Sequence, residues 1–218
     1  ADEITGRMET PLVVAELGSG TGKKTRWVLE AVTRRQPTTY HPIEISAPAL
    51  AVCERELDHL PRVSILGFET EYLEGLRQVA ARREPREHVL VLFLGSSIGN
   101  FEREPGMQFL RNVRETLAAG DGLLLGTDLV KPIPQMLRAY DDSLGVTSAF
   151  NLNLLARMNR ELDANFDLSC FQHAAVYDSS ERRIEMHLRS TAFQHVTIRK
   201  AHLSITVRKD ETIWTESS

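Results

Sequence analysis

A glycine-rich turn and a later acidic residue could together bind a nucleoside cofactor. The stretch ELGSGTGKKT covers residues 16 to 25, and its Gly18 and Gly20 allow a tight turn and a close approach of the backbone to a ligand. Glu44 ends the next apolar run, where a carboxylate can accept hydrogen bonds from a ribose diol. This arrangement suits a dinucleotide or S-adenosylmethionine, and an ordinary strand-to-helix turn is the structural alternative. The stretch does not fit the P-loop pattern GxxxxGK[ST].

A second polar loop, GSSIGNF, follows an apolar run at residues 89–94. Gly95 and Gly99 let the backbone approach a ligand, and Asn100 offers both a donor and an acceptor to a small polar substrate. In doubly wound sheets, ligands bind beyond the carboxyl ends of the strands. The loop therefore indicates a substrate site, although a strand-to-helix turn capped by Asn100 explains it equally well.

Polar side chains in the second half of the chain could also contact a ligand. Tyr140 offers a hydroxyl, and the acid pair Asp141 and Asp142 that follows it is favoured as a helix cap. Asn151 and Asn153 are favoured as structural amides, because buried amides commonly tie loops together.

The last strands carry a further candidate group. Glu216 and Ser218 share one face of a strand, where a carboxylate and a hydroxyl could hold a nitrogen heterocycle; an exposed polar edge is the alternative. Met186 is favoured as core, and His187 as exposed or structurally hydrogen-bonded.

The first part of the chain predicts the elements that must position these residues. Short apolar runs alternate with amphipathic stretches, which is typical of an α/β fold with a doubly wound parallel sheet. The predicted strands are 12–17, 39–45, 63–66, 89–94 and 122–128. The predicted helices are 21–35, one opened by Ser46 as N-cap, 71–83 and 104–118.

The pattern changes after residue 130, and a domain boundary is predicted there. Residues 135–162 predict two helices that separate near Gly145. Antiparallel strands are predicted at 171–177, 183–188, 196–198, 203–207 and 212–215. The chain is therefore divided into a domain at 1–130 and a smaller α+β domain at 131–218.

Composition restricts the partners. The net charge of −4 over 218 residues provides no basic field for nucleic acid, and no apolar stretch is long enough to span a membrane. Cys53 and Cys170 stand far apart without metal-ligand spacing, so no metal site or disulfide framework is indicated. A cytoplasmic protein with a small-molecule substrate is expected, and its oligomeric state is not predicted.

Five segments together resemble the histidine-specific methyltransferase family, whose members trimethylate the α-amine of L-histidine to hercynine on the way to ergothioneine. They are ELGSGTGKKT, LGSSIGNF, YDDSLGVTSAFNLNLLARMNREL, IEMHL and TESS. The resemblance runs from about Leu12 to Ser218 and implies a Rossmann-like methyltransferase domain followed by a substrate-binding domain.

The resemblance implies that the cofactor is S-adenosylmethionine. It gives Gly18, Gly20 and Lys24 to the methionine end of this cofactor, Glu44 to the ribose, and the pair Gly67 and Phe68 to the adenine region. The chain departs from the family at two of these places, because family members often have Asp at the position of Glu44 and Asp-Phe at the position of Gly67-Phe68.

The resemblance also implies how the substrate is held, with no catalytic base. Asn100 and Tyr140 would orient the carboxylate of L-histidine, with Gly95 close by. The imidazole contacts would come from residues in the last strands, namely Met186, Glu216 and Ser218.

Three other functions stay open. A family relative could methylate another amino acid or an indole amine, although Met186, Glu216 and Ser218 argue against it. The family has a helical segment before the first strand and further strands after the last, so the chain is expected to be truncated at both ends and could be a non-catalytic cofactor-binding domain. A dinucleotide oxidoreductase would rest on the glycine turn and Glu44 alone.

Overall fold

The computed structural model describes residues 1–8 and 11–218. The chain divides into two compact units, Ala1–Thr127 and Asp128–Ser218, which we call unit 1 and unit 2. Across the residues that the structure describes, no helix is long and apolar enough to cross a lipid bilayer.

Unit 1 is built on a parallel sheet, which confirms the predicted doubly wound α/β class. Its strands are β1 Leu12–Leu17, β2 Thr38–Glu44, β3 Val63–Ile65, β4 Phe68–Glu69, β5 His88–Phe93 and β6 Gly122–Leu125. The main strand order is β3-β2-β1-β5-β6, and β4 also pairs with β2. β1 therefore lies at the centre, with β2 on one side and β5 on the other.

Helices cover both faces of this sheet. The helices of unit 1 are α1 Asp2–Gly6, α2 Arg26–Thr33, α3 Ala47–Leu57, α4 Tyr72–Ala81 and α5 Arg103–Thr116. Successive strand residues point to opposite faces, so Val13 and Ala15 pack with α4 and α5, whereas Leu12 and Val14 pack with α2 and α3. All six residues of β1 are buried, as expected for a central strand covered on both sides.

The helix after the glycine turn starts later than the predicted residue 21. Gly22 has a φ of 71°, which is left-handed, and its N–H bonds to the carbonyl of Ser19. Helical hydrogen bonds begin beyond this turn, and α2 starts at Arg26. The polar loop is consequently longer than its sequence suggested.

Unit 2 contains the two predicted helices and antiparallel strands. Its elements are α6 Ile133–Tyr140, α7 Val146–Leu162, β7 Phe171–Asp178, β8 Arg183–Ser190, β9 Gln194–Ile198, β10 Leu203–Val207 and β11 Thr212–Ser217. One sheet has the order β11-β8-β7, and β9 pairs with β10 in another. Gly145, with a φ of 71°, separates the two helices as predicted.

A β-bulge at Thr215 changes the register between β11 and β8. Trp214 lies opposite His187, but Glu216 lies opposite Met186, so one residue of β11 is left over. The Thr215 hydroxyl donates to the Met186 carbonyl at 2.9 Å, which stabilises the bulge. Opposite residues of an antiparallel pair share a face, so the bulge turns Glu216 to the face of Met186.

We predict that Gly75→Ala in α4 destabilises the protein. A Cβ at Gly75 would lie 2.4 Å from Cγ2 of Ile43, a fully buried and stiff β-branched side chain. Ala favours a helix by about 1 kcal/mol over Gly, but overpacking a core removes about 1–3 kcal/mol, so the overlap should prevail. Urea unfolding measures the difference. Gly6→Ala is the control, because no described atom lies within 4 Å of its Cβ position, and an equal effect of both variants would contradict the prediction.

Candidate functional site

The glycine turn after β1 is held against the end of β2. Gly18 and Gly20 have φ values of 75° and 51°, a left-handed backbone that suits glycine. The N–H of Gly18 donates to the carbonyl of Ile43 at 2.9 Å, and the N–H of Gly20 donates to Oε2 of Glu44 at 3.2 Å. The two parts of the predicted cofactor site are thus in direct contact.

Glu44 keeps capacity for a ligand. Its Oε1 accepts from the N–H of Ser46 at 3.1 Å, and its Oε2 accepts from Gly20. A carboxylate can accept about four hydrogen bonds, so each oxygen of this half-buried group has room for a further donor such as a ribose hydroxyl.

Lys24 and Gly95 meet at the same edge of the sheet. Nζ of Lys24 lies 3.4 Å from the position that a Cβ on Gly95 would take. Asn100 is exposed at the end of a short 3₁₀ turn, Ser97–Asn100, in the loop after β5. The structure therefore gathers Gly18, Gly20, Lys24, Glu44 and Gly95 within unit 1.

The side chain of Phe68 is buried and packs in the core. Its ring lies 4.9 Å from the Arg82 guanidinium carbon and 5.6 Å from the His41 ring. Gly67 is half-buried, and Oε1 of Glu54 lies 2.6 Å from the position of a Cβ there. Any contact of this pair with an adenine would thus come from the backbone around Gly67.

Tyr72, the first residue of α4, is a site neighbour that the sequence analysis missed. A Cβ on Gly18 would lie 3.1 Å from the Tyr72 hydroxyl. Burial and the nearby charge of Glu44 raise the pKa of Tyr72, which keeps its hydroxyl protonated as a donor. No periodicity distinguishes this tyrosine from a core residue.

Glu16, the first residue of the glycine motif, was also missed. It is 3% exposed, and its Oε2 accepts hydrogen bonds from Thr25 Oγ1 at 2.5 Å and from the Tyr40 hydroxyl. Burial raises the pKa of Glu16 to about 7, against the opposing effect of these two donors. Glu16 thereby ties β1 to β2 and to the start of α2, on both sides of the turn.

In unit 2, three predicted substrate residues share one face of the sheet. The bulge brings Glu216 opposite the buried Met186. Backbone hydrogen bonds of 2.9 Å in both directions pair Ser218 with Ile184, two residues from Met186 on β8. Glu216, Ser218 and Met186 are therefore neighbours.

The side-chain oxygens of Glu216 and Ser218 find no hydrogen-bond partner among the residues that the structure describes. No described residue donates a hydrogen bond to the Glu216 carboxylate, and burial raises the pKa of this group. Oγ of Ser218 is buried and finds no partner among residues 1–8 and 11–218. Buried polar groups are normally paired, so the Ser218 hydroxyl can take a ligand as partner, and the half-buried Glu216 carboxylate can accept from the same ligand.

A cleft of about 240 Å³ opens beside Glu216. Its lining includes Phe150, Asn151, Asn153 and Leu154 of α7, together with Thr215. Phe150 is 66% exposed and was not predicted as a site residue, because it occupies one of many apolar positions in α7. Arg157 also lines the cleft, and an aromatic ring, two amides, a guanidinium and a carboxylate suit a small polar ligand.

Tyr140 ends α6, and Asp142 has the capping role predicted for it, whereas Asp141 contributes only its backbone N–H, which donates to the carbonyl of Leu137. Asp141 is the C-cap residue of α6, and the Asp142 carboxylate accepts from the N–H of Val146 at 3.1 Å and of Thr147 at 2.8 Å. Hydrogen bonds from Thr147, followed by Val146, lower the pKa of Asp142 to about 2. His187 is hydrogen-bonded as predicted, with Nε2 2.9 Å from Oε2 of Glu185.

Known proteins resemble this chain over nearly its whole length. The profile of a family described as histidine-specific methyltransferase, SAM-dependent, matches residues 1–218. The histidine N-alpha-methyltransferase of Mycolicibacterium smegmatis is 41% identical over 94% of this chain and 63% of its own length. Ergothioneine biosynthesis protein 1 of Schizosaccharomyces pombe is 30% identical over 82% of this chain and 24% of its own length.

A further relative is named for a tryptophan derivative. The 4-dimethylallyltryptophan N-methyltransferase easF of Claviceps purpurea is 32% identical over 64% of this chain and 43% of its own length. The chain thus spans less than two thirds of the length of each of these three relatives.

We predict that Glu16→Gln changes how stability depends on pH. A carboxyl whose pKa is about 7 when folded and 4.5 otherwise favours the folded state fully below pH 4.5 and loses that contribution as pH rises through 7, about 3 kcal/mol in total. The amide does not titrate, so the unfolding free energy of the variant minus that of the wild type should rise by this amount between pH 4 and pH 8.

Denaturant unfolding at both pH values measures this difference. Glu115→Gln, at an exposed carboxylate on α5, is the control and should change it little. A difference that is the same at pH 4 and pH 8 for Glu16→Gln would contradict the prediction.

Proposed function

This chain belongs to the histidine-specific, S-adenosylmethionine-dependent methyltransferase family, and from that premise we propose that the protein trimethylates the α-amine of L-histidine. The product would be hercynine, formed in ergothioneine biosynthesis. The names of the Mycolicibacterium and Schizosaccharomyces relatives support the substrate and the pathway. A cytoplasmic location and the absence of a nucleic-acid partner stay predictions.

The observation that carries the proposal is the pair Glu216 and Ser218 in unit 2, whose side chains find no partner in the described part of the chain. An imidazole N–H would donate to Glu216, and Ser218 could donate to the second ring nitrogen. A ligand with an apolar ring would leave a half-buried carboxylate without a donor, at a cost of about 1–3 kcal/mol. Glu216 and Ser218 would therefore select histidine, with Met186 packed beside the ring.

Unit 1 fits the proposed cofactor. We assign Gly18, Gly20 and Lys24 to the methionine end, Glu44 to the ribose hydroxyls, and the backbone of Gly67-Phe68 to the adenine region. The oxygens of Glu44 can accept two more hydrogen bonds, as a diol requires. When bound, S-adenosylmethionine supplies a methyl group on a positively charged sulfur.

The residues of the chain would act mainly by orientation. Methyl transfer to nitrogen is an in-line displacement that needs an uncharged amine near the methyl carbon, so correct placement supplies much of the rate. We propose that Asn100 and Tyr140 bind the substrate carboxylate, with Gly95 close by, and that Glu216 and Ser218 bind the imidazole. A substrate fixed at its two ends leaves the amine free to rotate between transfers.

A second candidate is methylation of a tryptophan derivative, which the Claviceps relative favours. Indole has a single ring N–H and no second nitrogen to accept from Ser218, so the polar pair in unit 2 disfavours it.

Mass spectrometry of the products distinguishes these activities. The protein is incubated with S-adenosylmethionine and either L-histidine or L-tryptophan. The proposal expects up to three methyl groups on histidine and none on tryptophan. Methylation of tryptophan alone would overturn it, and no product from either amino acid, with the cofactor bound, would indicate a non-catalytic cofactor-binding domain.

We predict that Glu216→Ala weakens histidine binding selectively. Loss of a charged acceptor to the imidazole should lower histidine affinity about 10- to 100-fold and change the affinity for S-adenosylhomocysteine less than about twofold. Calorimetric titration measures both affinities. Glu211→Ala, in the exposed turn before β11, is the matched control. Equal losses for both ligands would show that Glu216 supports the fold instead.

We predict the opposite selectivity for Glu44→Ala. Removal of the ribose acceptor and of the Gly20 and Ser46 hydrogen bonds should lower the affinity for S-adenosylhomocysteine at least about tenfold. Glu56→Ala, at an exposed carboxylate on α3, should leave that affinity unchanged. Unaltered cofactor binding in Glu44→Ala would refute the ribose assignment.

A further inference from the structure

α6 is a partly exposed helix, and its apolar residues Met136 and Leu137 are only half-buried. The helix, which is described along its whole length, has no buried residue, and Ile133 at its start is 45% exposed. Its position must depend on polar contacts to a larger extent than that of a core helix. Tyr140 is its last residue, so its carbonyl belongs to the last turn, whose carbonyls lack partners within a helix.

His173 of β7 supplies a partner for that carbonyl. Its Nε2 lies 2.7 Å from the backbone carbonyl oxygen of Tyr140. A carbonyl oxygen only accepts, so Nε2 carries the hydrogen, and Nδ1 of the neutral ring is an acceptor. The ring therefore needs a donor on its other side.

Asn151 of α7 is that donor. Its Nδ2 lies 3.0 Å from Nδ1 of His173 and 3.2 Å from the carbonyl oxygen of His187. Both neighbours accept, which uses the two hydrogens of one amide nitrogen and fixes the orientation of the amide. Asn151 is 3% exposed, so its side chain is held firmly between α7 and the strands β7 and β8.

We propose that His173, oriented by Asn151, is a positioning residue that sets the place of Tyr140 for substrate binding. The inference rests on the proposed function, because Tyr140 has its substrate role only there. The hydrogen bonds run from the buried amide of Asn151 through one tautomer of the His173 imidazole to the end of the partly exposed helix α6. Asp142 fixes the other side of the same segment by capping α7. The chain is thus anchored at the Tyr140 carbonyl and again two residues later at Asp142.

A purely structural role predicts different behaviour. If His173 only supported the fold, its loss would weaken both ligands and would act independently of the Tyr140 hydroxyl. If it acts through Tyr140, its loss raises the KM for histidine, leaves the affinity for S-adenosylhomocysteine unchanged, and has little further effect once the hydroxyl is absent.

The test compares four variants of the full chain with the wild type. They are His173→Leu, His173→Gln, Tyr140→Phe and the double variant that combines His173→Leu with Tyr140→Phe. His173→Leu should raise the KM for histidine about five- to tenfold, the scale of one lost hydrogen bond. His173→Gln keeps a donor and should restore most of the loss. In the Tyr140→Phe background, His173→Leu should change the KM less than about twofold. His195→Leu, at an exposed histidine of β9, is the control.

Each outcome decides the inference. Equal effects of His173→Leu in both backgrounds, or an equal loss of S-adenosylhomocysteine binding, would overturn it. If the wild type binds no histidine, the proposed function fails. Amide hydrogen exchange then tests separately whether His173 holds the end of α6 at Tyr140. Amides of residues 138–141 should exchange faster in His173→Leu than in the wild type, and unchanged exchange would overturn the inference.

Discussion

β1 pairs in parallel with β2 on one side and with β5 on the other, and it is buried along its whole length. Because parallel strands end at the same edge of a sheet, this pairing carries the glycine turn, Glu44 and the loop at Gly95 to one place. Glu16 then holds the turn through its hydrogen bond with Thr25, and Glu44 holds it by accepting from the N–H of Gly20. The proposed cofactor site in unit 1 depends on this central strand, since the glycine turn follows β1, Glu44 ends the adjacent β2, and Gly67 follows β3 on the far side of β2.

The bulge at Thr215 has a comparable role in unit 2. A regular strand would place Thr215 opposite Met186 and would turn Glu216 to the other face of the sheet. With one extra residue in β11, the carboxylate reaches the face of Met186 and lines the cleft beside α7. A single hydrogen bond from Thr215 to the Met186 carbonyl stabilises the bulge, so the position of a selective side chain depends on a local irregularity of one strand.

The elements and the glycine-acid contact could be predicted because they depend on local signals. Short apolar runs that alternate with amphipathic stretches predict buried strands. Gly18 and Gly20 follow the first of these runs, and Glu44 stands at the end of the second. Glu16 could not be assigned, because its partners lie in other elements and an acid inside an apolar strand carries no sign of them. The bulge could not be predicted either, because it is a shift in the pairing of β11 with β8 and the residue types of β11 give no sign of it.

We propose centrally that unit 2 recognises an imidazole through Glu216 and Ser218, two polar groups that have no partner among residues 1–8 and 11–218. Calorimetric titration of L-histidine and of L-tryptophan into the protein saturated with S-adenosylhomocysteine tests it most directly. We expect histidine to bind at least about tenfold more tightly than tryptophan. Equal or tighter binding of tryptophan, or no binding of histidine by the cofactor-loaded protein, would contradict it.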